Sequence, residues 1–188
     1  MKRFKVSVLT LLTVGMLASC SDDDTAIAPV NEEEVITTVT ASFSPVGGGS
    51  VVTLTSRDLD GDGPQAPVVT VSGNFAANTV YNGAITFTNE MVNPAEDITA
   101  EIFAEGDHHQ IFYQQNGLGT FSYTDEDEDG NPIGLTVAYT TAAIPANGTL
   151  TLTLVHHPEK TAAGVAEGNI ANAGGSTDAQ VSFPVIVQ

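Results

Sequence analysis

The chain has 188 residues and is acidic, with five Lys and Arg against 23 Asp and Glu and a formal net charge of −18. So negative a body repels phosphate backbones, so nucleic acid is excluded as an expected partner. A single cysteine rules out a disulfide framework, and eight Phe, four Tyr and no Trp leave little for a sugar-stacking platform.

Lys2, Arg3 and Lys5 open the chain, and Val6 to Ala18 is apolar except for Ser7, Thr10, Thr13 and Gly15. A basic head, an apolar stretch and small residues at its end make residues 1–19 a secretion signal. The stretch is short for a bilayer span, which takes about 20 residues. Leu17-Ala18-Ser19-Cys20 resembles a bacterial lipobox. That resemblance implies that Cys20 is acylated, cleaved free and held to a membrane by its lipid. Several acyl chains, at about 0.8 kcal/mol per buried methylene, anchor stably where one is marginal. Ser21-Asp22-Asp23-Asp24 resembles the acidic export signal that sends Bacteroidota lipoproteins to the cell surface, and Asp24-Thr25-Ala26 resembles an O-glycosylation acceptor of that group. The expected location is the outer membrane, lipid-anchored and facing outward.

Without the leader, Arg57 and Lys160 alone stand against 23 acids, a formal charge of −21. Residues 20–34 read as an acidic tether containing Pro29, with a reach of roughly 20 Å. Residues 35–188 suit one domain with a sizeable core.

From Val35 onward the apolar rhythm has a period of two. Val35, Val39, Ala41 and Phe43 begin it, followed by Val52 and Leu54, then Ile85 and Phe87. Ile111 and Tyr113, Phe121 and Tyr123, and Leu135, Val137 and Tyr139 continue it. Leu150, Leu152 and Leu154 alternate with threonines, and Val181, Phe183, Val185 and Val187 close the chain. Gly, Asn, Asp and Pro fill the breaks. About eight to ten short strands at this spacing predict an all-β fold, an antiparallel immunoglobulin-like sandwich. Pro184 predicts that the last strand lies at an edge or carries a bulge. One short helix is expected over 94–105: Asn93 caps it, Pro94 opens it, Ile98 and Ile102 share a face, and Gly106 ends it.

The leader, Asp58-Leu59-Asp60-Gly61-Asp62-Gly63, Glu96-Asp97-Ile98-Thr99 and His109-Gln110 together resemble a family of small flavobacterial lipoproteins. Some of its members carry the label of a type 1 periplasmic binding fold. That label implies a two-lobed α/β protein, a pattern from which this β rhythm departs. Some such lipoproteins are encoded beside TonB-dependent transporters, so the resemblance implies an outer-membrane transporter as partner and an accessory role in uptake.

Asp58, Asp60 and Asp62, and again Asp125, Asp127 and Asp129, follow the spacing D-x-D-x-D-G. Carboxylates at alternate positions round a glycine turn can converge on Ca2+. The twelfth positions hold Val69 and Thr136 instead of the glutamate an EF-hand uses, and Asp-Gly is also a hairpin turn. The histidines form two adjacent pairs, His108-His109 and His156-His157. Neighbours on a strand face opposite ways, so each pair offers one imidazole to a given site. His109 keeps phase with Ile111, and His156 with Leu154. If those strand ends meet, His109 and His156 with Asp107, Glu159 or Glu105 would suit Zn2+ or copper(II). No G-x-S-x-G or H-E-x-x-H occurs and the thiol is spent on lipid, so no enzyme is expected. The sequence thus predicts a surface lipoprotein that binds or presents, as an uptake accessory or as an adhesive module with calcium-stiffened loops.

Overall fold

The computed structural model describes residues 34–61 and 63–188. The leader, Cys20, the tether as far as Glu33, and Asp62 lie outside the described residues.

Among the described residues there are ten strands in two sheets, most of them the period-two segments. They are β1 (Thr38–Pro45), β2 (Val52–Arg57), β3 (Val68–Val71), β4 (Val80–Asn89) and the two-residue β5 (Glu96–Asp97). After the helix come β6 (His109–Gln114), β7 (Gly119–Tyr123), β8 (Thr136–Thr141), β9 (Ala146–His156) and β10 (Ser176–Val187). One sheet has seven strands in the order β3-β2-β1-β4-β8-β7, with β5 on β4, and the other is β10-β9-β6. All of these pairings are antiparallel. Among the described residues this is an all-β sandwich with one short α-helix, and the alternation explains it, because most of the longer strands hide one face against the opposite sheet.

The residues that carry the rhythm fill the interface. Phe43, Leu54, Ile85, Phe87, Ile111, Tyr139, Leu150, Leu152, Leu154 and Phe183 are buried in one core. Within it the rings of Phe121 and Tyr139 stack with centroids 4.3 Å apart. Phe75 meets Phe43 and Tyr139 edge-on at 5.4 and 5.2 Å. The Tyr139 hydroxyl, deep in that cluster, donates to the Leu118 carbonyl at 2.7 Å. Val35 departs from the expected inward face: it precedes β1 and is exposed. On the outer side of the smaller sheet, Phe112 and Val155 are covered by Val165 and Ala173 from the long β9–β10 connection.

The helix is shorter than expected. α1 spans Ile98–Ala104, and its cap is Asp97, whose side chain accepts from the Thr99 amide at 3.0 Å. Glu96 and Asp97 first pair with Asn89 and Thr88, so the chain stays extended past Pro94. Ile98 and Ile102, at i and i+4, are both buried in the core. Gly106 opens a single 3-10 turn (Gly106–His108) that leads directly into β6.

Pro184 sits in β10, an outer strand of its sheet, opposite Thr149. That strand also slips register between Thr177 and Ala179. Both outcomes expected of the proline-bearing strand therefore occur in it.

Candidate metal centre

β6 and β9 run antiparallel with His109 directly opposite His156. Residues opposite each other project to the same face of a sheet, so both imidazoles point inward, their centroids 4.6 Å apart. They are buried, and their strands end at the same rim.

The third group comes from β10. Thr177 pairs with Val155 and Ala179 with Leu154, leaving Asp178 as the extra residue of a bulge. A bulge shifts the inward-outward alternation by one and re-aims a side chain. Asp178 Oδ1 lies 3.6 Å from His156 Nδ1, and its Oδ2 lies 3.6 Å from His109 Nε2. The entry of β10 to this position needs Gly175, whose φ is +69° and on which a Cβ would overlap the His156 carbonyl oxygen.

The fourth group is Glu34, just ahead of β1. Its Oε1 is 3.1 Å from His109 Nε2, and its side chain is only 5% exposed. One ligand atom from each of Glu34, His109, His156 and Asp178 can be chosen so that all four lie within 4.8 Å of one another. Among the described residues no other group of three or more such side chains gathers in this way.

Hydrogen bonding defines the chemistry at the centre. His109 Nδ1 lies 3.1 Å from the Glu105 carbonyl oxygen, which can only accept, so Nδ1 carries the proton. In the neutral ring, Nε2 is then a bare lone pair facing the carboxylates of Glu34 and Asp178. Nε2 and Glu34 Oε2 are buried without a hydrogen bond. Lone pairs and carboxylates pushed together out of water repel unless a cation lies between them. A carbonyl holding the far nitrogen of a ligand histidine is also the usual way such a ring is oriented toward a metal. Tetrahedral Zn2+ with bonds of about 2.0 Å sets its ligand atoms about 3.3 Å apart, near the 3.1 Å between Glu34 and His109 and the 3.6 Å from Asp178 to each histidine. Two nitrogens and two carboxylates suit Zn2+ or a neighbouring transition metal, whereas Ca2+ asks for six to eight oxygens.

The other residues singled out in the sequence lie elsewhere. The carboxylate of Asp107 is exposed beside His108, at 3.4 Å. Glu159 accepts from the Thr161 hydroxyl at 2.7 Å. Glu105 contributes its backbone carbonyl to His109. His108 and His157 form an outer tier, with centroids 4.4 Å apart, and His157 stacks on His156 at 4.3 Å. Burial, and then the surrounding imidazoles, push the pKa of His157 down.

In the second aspartate loop protein donors occupy the carboxylates of Asp125 and Asp127. Asp125 accepts from the amides of Gly134 and Thr136 at 2.8 and 2.9 Å. Asp127 accepts from the Asp129 and Asn131 amides, and its Oδ2 takes the Lys160 ammonium at 2.8 Å. That ammonium also donates to the carbonyls of Gly106 and Pro132, so a lysine fills the place of a cation. Burial alone would push the Asp127 carboxyl up, but Lys160 and the two amides outweigh it and hold the pKa below the usual value. In the first loop Asp58 and Asp60 accept from the amides of Asp60 and Gln65, and Asp62 lies outside the described residues.

Comparison with protein-family models, with curated proteins and with solved structures gives no match to this chain.

Proposed function

We propose that this is a lipid-anchored surface lipoprotein whose β-sandwich is a non-catalytic binding module built around a buried divalent transition-metal centre. The observation that carries the metal is His109, its Nδ1 committed to a carbonyl and its Nε2 aimed at two buried carboxylates. Four protein side chains converge there and all are buried, whereas a catalytic zinc keeps one position open for water or substrate. The lipobox at Cys20 and the acidic residues after it support an outer-membrane, outward-facing location. The resemblance to flavobacterial lipoproteins supports an accessory role beside an outer-membrane transporter. The adhesive reading with calcium-stiffened loops has less support, because Lys160 and backbone amides take the carboxylates of Asp125 and Asp127.

Calorimetric titration of chelator-treated protein with Zn2+ tests the centre. One equivalent should bind, and His109→Ala with His156→Ala should abolish binding. No heat from the wild type, or equal binding by the double variant, overturns the proposal. Co-purification with a transporter would separate the uptake role from adhesion.

A further inference from the structure

We infer that the metal, through Glu34, clasps the two sheets of the sandwich together at one rim. This rests on the metal reading above and adds what the bound ion does. Three of the ligands, His109, His156 and Asp178, stand on β6, β9 and β10 of the smaller sheet. Glu34 stands at the head of β1, which belongs to the larger one. An ion bound to all four therefore ties one layer to the other.

The local hydrogen bonding shows why such a tie matters. From Thr37 onward the chain is held by the larger sheet: its amide donates to Thr88 at 3.0 Å, and its carbonyl accepts from Asp58 at 2.7 Å. Its hydroxyl accepts from the Glu90 amide at 2.8 Å. Glu34 lies ahead of that anchored point, and its carboxylate reaches the smaller sheet at His109. With the ring neutral and no cation, this approach sets a carboxylate against a nitrogen lone pair, which is unfavourable. With a divalent ion, the same approach is attractive. The chain has a single cysteine, so no disulfide can do this work. Glu34 and His109 lie 75 positions apart, so the ion closes a long loop, the case in which a cross-link restricts the unfolded chain most. Four ligands supplied by the protein, two of them nitrogen, make the ion a resident one of the zinc class, not cargo handed on.

The test uses the full acylated chain in detergent, stripped with chelator and reloaded with Zn2+ or Co2+. Hydrogen exchange at the amides of residues 35–37 should slow on loading. Glu34→Ala and Glu34→Gln should still bind zinc through three ligands. Their affinity should fall by at least the roughly tenfold to hundredfold that losing a hydrogen-bond partner of a ligand costs. In both variants exchange at residues 35–37 should no longer respond to metal, and the visible Co2+ absorption should weaken as water replaces a carboxylate. Zinc binding with unchanged exchange at residues 35–37, or undiminished affinity in the Glu34 variants, overturns the clasp while leaving the metal centre standing. Failure of the wild type to bind either ion overturns both.

Discussion

Asp178 shows how one residue can serve two opposed demands. Its carboxylate and that of Glu34 lie within 4.8 Å of each other out of water, so two like charges are brought together there. Asp178→Asn keeps the shape and removes one charge. In chelator the variant should melt higher than the wild type, by an amount equivalent to about 1–3 kcal/mol. With zinc the order should reverse, because the variant gains less from the ion. Thermal melts of both proteins in chelator and in zinc check the crossing. The two histidines of the centre were legible as residues, since each continues the inward phase of its strand. The two carboxylates were not. By the alternation of Val181, Phe183 and Val185, Asp178 should face outward, and only the bulge turns it in. Glu34 ends an acidic run, Glu32-Glu33-Glu34, in which nothing separates a ligand from solvated neighbours.

Among the elements, the β9–β10 connection does more than cover the smaller sheet. Through Lys160 it reaches across to the Asp125–Gly130 loop and to the 3-10 turn that precedes His109. Lys160 and Asp127 are both nearly inaccessible, with side-chain exposures of 5% and 1%. Removing one partner leaves a buried charge without its counterion, which costs about 3–5 kcal/mol. Lys160→Met should therefore lower stability by that order in urea denaturation, and adding Asp127→Asn should restore part of it. The D-x-D-x-D-G spacing was visible in sequence, but not that a lysine far along the chain would neutralise it. The helix was legible through Ile98 and Ile102, yet its start was misplaced. Asn93-Pro94 has the composition of a helix opening, whereas pairing of Glu96 and Asp97 with β4 delays the first turn to Ile98.

For the molecule as a whole, both basic residues beyond the leader are spoken for. Lys160 is buried, and Arg57 grips Glu90 through two nitrogens at 2.6–3.0 Å. The Arg57 guanidinium, with the Thr38 hydroxyl, holds the Glu90 carboxyl down to about 2 from a usual 4.5. A carboxyl lowered in the folded state stabilises above its unfolded pKa and loses that contribution as pH falls through the folded one. Melting temperature should therefore decline between about pH 5 and pH 2, and Glu90→Gln should make the decline shallower over that window. The free surface charge is left almost wholly negative, which disfavours contact with anionic surfaces and lets cations collect round the sandwich. The two-layer architecture was the most legible feature of all, because burial alternates along the longer strands of the larger sheet, as Ala41 and Phe43 in β1 and Ile85 and Phe87 in β4 show.

Pro184 carries a last consequence for how copies of the chain meet one another. An outermost strand is an invitation to a neighbour, since its free amides and carbonyls can recruit a strand from another copy. Proline has no amide hydrogen to offer, and the ladder beyond it cannot be continued without a gap. Were copies held side by side by the proposed lipid anchor, even weak strand-to-strand docking would string them into fibres. On β10 Pro184 breaks that edge at one position, and the Phe75 segment takes the Ile186 carbonyl and the Gln188 amide beyond it.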